Sequence, residues 1–315
     1  MADTMRAVRI HSYGGSEAVR YEDVPLPEAG PGEVLVRARA SSVNPVDWKT
    51  AEGSGQASKI WERFPLVLGW DLSGVVEAVG EGVDSYQPGD EVFGLVRFPQ
   101  PGEAYAEYVA APADQLAPKP ASLGHAEAAA LPLVGLTAWQ ALIEAAGVEE
   151  GQTVLVHAGA GGVGHVAVQL ARWRGARVVA TASARNTEFL TSLGVEQVID
   201  YTATPFEQAV SEVDVVLDPI GGDVFDRSLD VLRPGGTIVS LREREPEEKA
   251  EPRNLRGMYR LVRPEGSQLG ELAALADAGQ LRVEVQDEVP LSDVAKVHEL
   301  SETGHTRGKL VLRVS

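Results

Sequence analysis

The sequence predicts an α/β protein in two parts: a small barrel of antiparallel strands, then a doubly wound parallel sheet with helices on both faces. Three observations predict it. An apolar β-branched run, Val154-Leu155-Val156, leads into a glycine cluster, Gly159 to Gly164, and that cluster opens a helical pattern. From Thr153 onward, strand-like and helix-like runs alternate, which is the texture of βαβ units. Before Pro120 the chain consists of short β-prone runs bounded by Gly, Pro, Asp and Asn, the punctuation of antiparallel strands.

In chain order, the first part places strands at Ala7–Ile10, Val34–Ala40, Gly74–Val79 and Ala104–Ala110. Gly30-Pro31-Gly32 and Pro88-Gly89-Asp90 are turns, because Pro presets φ and Gly tolerates positive φ. Gly53-Ser54-Gly55 and Phe98–Gly102 read as exposed, flexible loops. Alanine- and leucine-rich stretches then predict helices over Ala126–Leu131 and Leu136–Ala146, with Gly147 ending the second. Strands follow at Thr153–His157, Arg177–Thr181, Gln197–Ile199, Asp214–Leu217 and Thr237–Leu241. The helices between them fall near Gly162–Trp173, Thr187–Leu193, Pro205–Val210 and Val224–Leu232. In the first of these, Val163, Val166, Ala167 and Leu170 repeat at helical spacing and leave Gln169 and Arg172 for solvent. Charged Arg242–Arg256 reads as a surface loop over the strand ends. Helix Ser267–Ala278, a strand near Leu281–Val285, helix Ser292–Glu302 and a last strand Lys309–Val314, returning to the first part, close the chain.

With 315 residues the chain can bury a large core, and two domains are expected. A net charge of −18 argues against nucleic acid and anionic membranes, whose phosphates need clustered Lys and Arg. The first ten residues lack the apolar core of a signal peptide and no run reaches bilayer-spanning length, so a soluble, cytoplasmic protein is expected. There is no cysteine, which removes disulfides, thiolate catalysis and thiolate metal sites. The six histidines form no His-x-x-x-His pair, and no metal is expected.

Gly159, Gly161 and Gly164 occupy the three places of a dinucleotide fingerprint. The first permits the tight turn, the second lets a pyrophosphate approach the backbone, and the third lets helix and strand pack closely. Free N–H groups and the positive end of the new helix then face the phosphates. With Gly162 and Val163 between them, these residues form the phosphate-side candidate.

Several further motifs stand along the chain: Asn44-Pro45-Val46-Asp47, Gly69-Trp70-Asp71-Leu72-Ser73-Gly74, Pro88-Gly89-Asp90-Glu91-Val92, Leu131-Pro132-Leu133, Leu136-Thr137-Ala138, Arg233-Pro234-Gly235-Gly236 and Gly308-Lys309. Through them the sequence resembles, essentially end to end, the medium-chain dehydrogenases/reductases, specifically their zinc-free quinone oxidoreductase (zeta-crystallin-like) branch. The resemblance implies a GroES-like β-barrel catalytic domain over 1–121 and 286–315. It also implies a Rossmann domain over 122–285, with the cofactor held between the two. Zinc-dependent members carry cysteine where this chain has Asn44 and histidine where it has Trp70, and they add a four-cysteine lobe. None of those ligands is present, so zinc-assisted alcohol oxidation is not expected.

The second strand of such a unit ends in Asp or Glu when the ribose 2′-OH is to be bound. Here it runs Val179-Ala180-Thr181-Ala182-Ser183-Ala184-Arg185-Asn186, with no carboxylate before Glu188. Ser183 can donate to a 2′-phosphate and Arg185 can pair with it bidentately. Tyr201 matches a tyrosine that the family uses near the same phosphate. Read otherwise, Arg185 is a solvated loop residue and Tyr201 a core edge. The expected cofactor is NADPH.

At the nicotinamide end, the resemblance places Asn44 to polarise an acceptor oxygen; alternatively it only fixes an Asn-Pro turn. Lys49 meets cofactor or substrate, or is solvated. Asp47 orders the loop or, alternatively, acts as an acid. Thr137 falls where the family binds the nicotinamide side, with Leu133 beside it. Ile220 and Gly221, with Gly222, follow the fourth strand of the sheet; Gly suits close backbone approach and Ile220 presses on the ring or packs in the core. Ser240 borders the same pocket. Met258 and Tyr259 form part of a lid, with Tyr259 a proton donor or a packing aromatic. Lys309 reaches the cofactor or is solvated. Asp71 and Asp218 read as structural, and His157 and His165 as packing or capping residues.

The expected activity is NADPH-dependent hydride transfer to a quinone. The alternatives are reduction of 2-alkenals and other α,β-unsaturated carbonyls on the same scaffold, or a low-turnover NADPH-binding redox sensor. A homodimer formed by the strand near 281–285 is also expected.

Overall fold

The computed structural model describes residues 3–55 and 64–314; of the stretch 50–60, which the sequence reads as one of the loops shaping the acceptor pocket, the part beyond Gly55 lies outside the described residues. The chain opens with β1 (Thr4–Ile10), β2 (Val19–Pro25), β3 (Glu33–Val43), α1 (Pro45–Glu52), β4 (Leu66–Val67), β5 (Asp71–Val79), β6 (Glu91–Leu95), β7 (Tyr108–Pro112) and β8 (Leu116–Pro118). Helices α2 (His125–Ala130) and α3 (Pro132–Trp139) follow. Next come β9 (Thr153–Val156), α4 (Gly162–Trp173), β10 (Arg177–Ala182), α5 (Thr187–Ser192), β11 (Gln197–Asp200) and β12 (Val213–Asp218). This series continues through α6 (Asp223–Ser228), β13 (Leu232–Ser240), α7 (Pro246–Ala250) and β14 (Arg256–Tyr259). The chain ends with α8 (Gly266–Asp277), β15 (Val285–Pro290), α9 (Val294–Glu302) and β16 (Lys309–Arg313).

Two compact units result. The first comprises Met1–Leu136, Arg263–Gly279 and Val283–Ser315, and the second Thr137–Val262 with Gln280–Arg282. In the first unit, β2-β1-β4 form a small sheet and β15-β16-β3-β5-β6-β8 a larger one, with β7 also pairing β3. Every pairing here is antiparallel except β15 with β16. The last strand does return to the first unit: β16 runs beside β3, Leu310 opposite Val43. Phe98–Gly102 is exposed at Gln100 but packed at both ends. Phe98 is buried, its ring meets Trp70 edge-on at 5.5 Å, and the Trp70 indole N–H donates to Gln100 O at 2.7 Å.

In the second unit one parallel sheet has the order β11-β10-β9-β12-β13-β14. Leu155, Val179, Val216, Phe225 and Ile238 lie in its core. Helix α4 keeps its expected bounds, but Gln169 is buried rather than solvated. Its amide donates to His165 O and Arg282 O and accepts from Arg282 N–H, at 2.7, 2.9 and 2.8 Å. That side chain therefore satisfies the backbone at Arg282 in place of a neighbouring strand, and 281–284 form no strand. Strand β15 begins only at Val285 and belongs to the other unit, so the edge expected to make a dimer is not an edge of this sheet. Its edges are β11 and β14.

The 242–256 stretch is not a plain loop: it folds α7 and a 3₁₀ turn, and leads into β14, which extends the sheet. At Gly257 a Cβ would fall 2.5 Å from the Pro246 carbonyl, so glycine lets α7 lie against β14. The helix expected over Leu136–Ala146 begins earlier as α3 and continues as a π turn, Gln140–Ala145, with Ala146 N–H donating to Ala141 O. Pro205–Val210 contains only a 3₁₀ turn, Phe206–Gln208.

Candidate active site

Because every strand of the second unit's sheet is parallel, all their carboxyl ends fall on one edge, where open α/β sheets bind ligands. The order reverses beside β9, whose neighbours are β10 and β12. The glycine turn leaves β9 at this point. Gly159 N–H donates to Thr181 O, and Gly161 N–H to Ala158 O, both at 2.9 Å. Glycine is required twice here. A Cβ on Gly164 would lie 2.2 Å from Ala158 O and 2.7 Å from Gly159 Cα, and one on Gly159 would lie 2.7 Å from Ala180 Cβ. At Gly161 the nearest atom would be Ala158 O at 3.3 Å, a tight contact that a shift of a few tenths of an ångström relieves. Gly161 caps α4, and Gly162 and Val163 form its first turn. A helix N-terminus of twelve residues with its N–H groups uncovered by side-chain caps suits a pyrophosphate.

The same edge carries the other candidates of this unit. Ser183 caps the 3₁₀ turn that contains the exposed Arg185. Tyr201, 55% exposed, follows β11, and its N–H donates to Ala182 O on β10. Ser183, Arg185 and Tyr201 therefore stand on adjacent strand ends, and Tyr201 is no core edge. Thr137 lies buried on α3.

After β12, Asp218 folds its carboxylate back under the loop. Oδ1 accepts from the N–H groups of Ile220 and Gly221, both at 2.9 Å, and Oδ2 accepts from Ser240 Oγ at 3.1 Å. Burial pushes the Asp218 carboxyl up, and these hydrogen bonds pull it back. Ser240 Oγ in turn accepts from Arg242 and Glu243 N–H at 3.1 and 3.0 Å. Ser240, expected to border the cofactor, is buried and spends its hydroxyl on this staple. The result is a fixed loop, Gly221 at φ +77°, that presents Ile220 45% exposed rather than packed in the core. Asp218→Asn turns one acceptor into a donor facing Ser240. It should cost about 1–3 kcal/mol, read as a lower urea midpoint; an unchanged midpoint would show that the loop does not need the staple.

Met258 and Tyr259, expected as a lid, lie in β14, Tyr259 opposite Ser240, so pairing with β13 fixes them in the sheet. His157 and His165 take packing roles. His157 bonds Thr181 Oγ1 and Ser228 Oγ at 3.1 and 2.9 Å, burial holding it down to about 3. His165 Nδ1 bonds Gly161 O at 3.0 Å.

The first unit brings Asn44 and Lys309 together. Asn44 is 1% exposed; its Nδ2 donates to Asp71 Oδ2 at 2.7 Å and its Oδ1 accepts from Lys309 Nζ. Its N–H donates to Asp47 Oδ2 at 2.6 Å, a capping box for α1. The carboxamide expected to polarise an acceptor is thus engaged at both ends inside the unit. Lys309, expected to reach the cofactor or solvent, is 3% exposed; Nζ donates to Val43 O at 2.7 Å and stands 3.8 Å from Asp71 Oδ2. Asp71 also accepts from Ser42 Oγ and Leu133 N–H at 2.6 and 2.8 Å. Burial drives the Asp71 carboxyl up and the Lys309 ammonium down, and each charge pulls the other back. Lys49, half-buried on α1, holds Nζ 5.1 Å from the Trp48 ring centre.

This pairing of two units is matched by known proteins. The alcohol dehydrogenase GroES-like domain family matches residues 30–121, and the zinc-binding dehydrogenase family residues 193–312. A chloroplast envelope quinone oxidoreductase homolog of Arabidopsis thaliana is 33% identical, the alignment covering 98% of both chains. The chain belongs to the medium-chain dehydrogenase/reductase family. A second relative in this family is the chloroplastic NADPH-dependent alkenal/one oxidoreductase of Arabidopsis thaliana. It is 33% identical over 98% of this chain and 79% of its own. The solved structure of the quinone oxidoreductase from Coxiella burnetii is 40% identical with a TM-score of 0.94, covering 99% of this chain and all of the other. The medium-chain dehydrogenase/reductase fold and oxidoreductase class are therefore those of this chain.

Proposed function

We propose that the chain is an NADPH-dependent reductase of quinones, or of α,β-unsaturated carbonyls, that works without zinc. The end of β10 carries the reading. No carboxylate stands there to take a ribose 2′-OH, while Ser183, exposed Arg185 and exposed Tyr201 stand on neighbouring strand ends. A 2′-phosphate gains charge-assisted hydrogen bonds at such a place. The names of the relatives support the acceptor class.

When bound, NADPH supplies the hydride. The residues of the chain supply position. The Gly159–Gly164 turn and the start of α4 hold the pyrophosphate, and the Asp218 staple offers Ile220 as an apolar surface for the nicotinamide side. Lys49 is the acceptor-side candidate that remains, since the Asn44 carboxamide is engaged by Asp71 and Lys309, with Tyr259 or water as proton donor. An acceptor whose reduced anion is spread by conjugation asks little of that donor. Zinc ligation finds no support in the chemistry of the residues, since an amide and an indole, Asn44 and Trp70, replace the thiolate and imidazole and are themselves engaged. Only the family resemblance supports a cytoplasmic homodimer, and no sheet edge is assigned to its interface. Sedimentation analysis checks the dimer, and a monomer removes that part.

Arg185→Glu tests the cofactor. Losing a charge-assisted bond and gaining repulsion removes about 2–4 kcal/mol, so kcat/KM with NADPH should fall about 30- to 1000-fold while NADH is little changed. An unmoved NADPH/NADH ratio, or calorimetry showing that the wild type binds NADH as tightly, would overturn the reading.

A further inference from the structure

Among the polar atoms that the first unit buries without a geometrically good hydrogen bond from the described residues, five lie on α1, on α9 and at Tyr105: Asp47 Oδ1, Thr50 Oγ1, Tyr105 OH and both ring nitrogens of His298. All four residues are fully buried. A buried polar atom left unpaired is costly, so native interiors pair such atoms with protein or ordered water. These atoms are also neighbours. Asp47 and Thr50 lie three residues apart on α1, hence on one face. Helix α9, which carries His298, packs on α1, with Trp48 Nε1 donating to Ser301 Oγ at 3.3 Å. The Tyr105 and His298 ring centres are 6.1 Å apart. The Tyr105 hydroxyl stands beside the Asp47 carboxyl: burial first, then that carboxyl's charge and hydrogen bonding to it, push the phenol up.

The charges point the same way. Two buried carboxyls, Asp47 and Asp71, share one buried ammonium, Lys309. Asp71 takes three hydrogen bonds besides the ammonium, whereas Asp47 takes one from the backbone, on Oδ2, and has only the Tyr105 hydroxyl beside it as a further donor. If one carboxyl must be neutral, it is Asp47, which has fewer donors than Asp71.

We propose that Asp47, Thr50, Tyr105 and His298 wall a buried hydration site in which Asp47 keeps an exchangeable proton and ordered water links its carboxyl to the His298 ring. Burial, with the Asp71 charge adding to it against the Asn44 N–H, pushes the Asp47 carboxyl up to about 7. Burial holds His298 down to about 4, so its ring is neutral across the same range. The remaining charged groups on the packed elements are half-buried Lys49 and exposed Glu17, Glu52, Lys296, Glu299 and Glu302, which solvent screens. Because Asp47 closes the Asn44 capping box beside Lys309, release of this proton puts a second carboxylate next to that ammonium and ties the turn to pH.

The site is read on the whole chain without cofactor or acceptor, so it stands apart from the proposed activity. In carboxyl-¹³C aspartate NMR, one aspartate should titrate near neutrality and vanish in Asp47→Asn. If every aspartate titrates in the ordinary acid range, the proposal is overturned, even should Asp47→Asn fail to fold. The folded state keeps a proton that the unfolded chain has lost. The contribution of Asp47 therefore falls as pH rises from about 4 to about 7 and is flat above. Tm of the wild type minus that of Asp47→Asn should drop by several degrees between about pH 5 and about pH 8; a constant difference counts against the stored proton. In a high-resolution crystal structure, water on Asp47 Oδ1 and a His298 nitrogen is the supporting outcome, and a dry cluster closed by direct side-chain contacts sinks the hydration site.

Discussion

Lys309→Met is expected to destabilise the protein by about 3–5 kcal/mol, lowering Tm on the order of 10 °C. The methionine fills much of the same volume, so the loss comes from charge rather than from a hole. Asp71 would keep its hydrogen bonds from Ser42, Asn44 and Leu133 but lose the ammonium at 3.8 Å. Val43 O and Asn44 Oδ1 would lose their donor as well. A buried pair is weak evidence of net stability, yet removing one member leaves an uncompensated charge. The double variant Asp71→Asn with Lys309→Met should therefore be more stable than Lys309→Met alone, a sign reversal that no packing defect produces. A Tm for Lys309→Met within about 2 °C of the wild type would mean that the ammonium does not compensate Asp71.

That cluster also shows where the sequence stops being readable. Asn44, Asp71 and Lys309 are far apart in the chain, and only the pairing of β16 with β3 brings the lysine beside the Asn44 turn. One signal was present: Asp71 is a charge inside an apolar run, Leu68–Leu72, and Lys309 opens another, Leu310–Leu312, and charges in such positions are paired when buried. The βαβ series was legible because hydrophobic periodicity and glycine punctuation agree there, down to both ends of α4. At Leu281–Val285 alternation alone misled, because the Gln169 amide took the backbone bonds that a strand would have made. Strand β14 was hidden for the opposite reason. Arg256-Gly257-Met258-Tyr259 has little intrinsic β-preference, and a free sheet edge beside it decided the matter. Among the candidate residues, spacing identified the strand ends, but it gave no sign that the Ser240 hydroxyl was committed to Asp218.

Gly164→Ala should have the largest effect on the dinucleotide site, and its contrast with Gly161→Ala separates architecture from ligand. At Gly164 the new Cβ would lie 2.2 Å from Ala158 O and 2.7 Å from Gly159 Cα. Both are backbone atoms of the same turn, so no side chain can swing aside. Either α4 shifts off β9 or the turn opens, at about 1–3 kcal/mol, and the N–H groups at the start of α4 lose their aim. Stability and NADPH affinity should fall together, the latter about 10- to 100-fold. At Gly161 the Cβ would meet only Ala158 O at 3.3 Å, which a small shift of the turn relieves, so the free protein should lose much less Tm than Gly164→Ala does. If the pyrophosphate approaches that backbone as the fingerprint requires, the added methyl still weakens NADPH binding by a similar factor. Thermal melts without cofactor, paired with calorimetric titration of NADPH, distinguish the two substitutions. Were Gly161→Ala to bind NADPH as the wild type does, the phosphates would not lie over this turn, and the start of α4 would lose its role in binding.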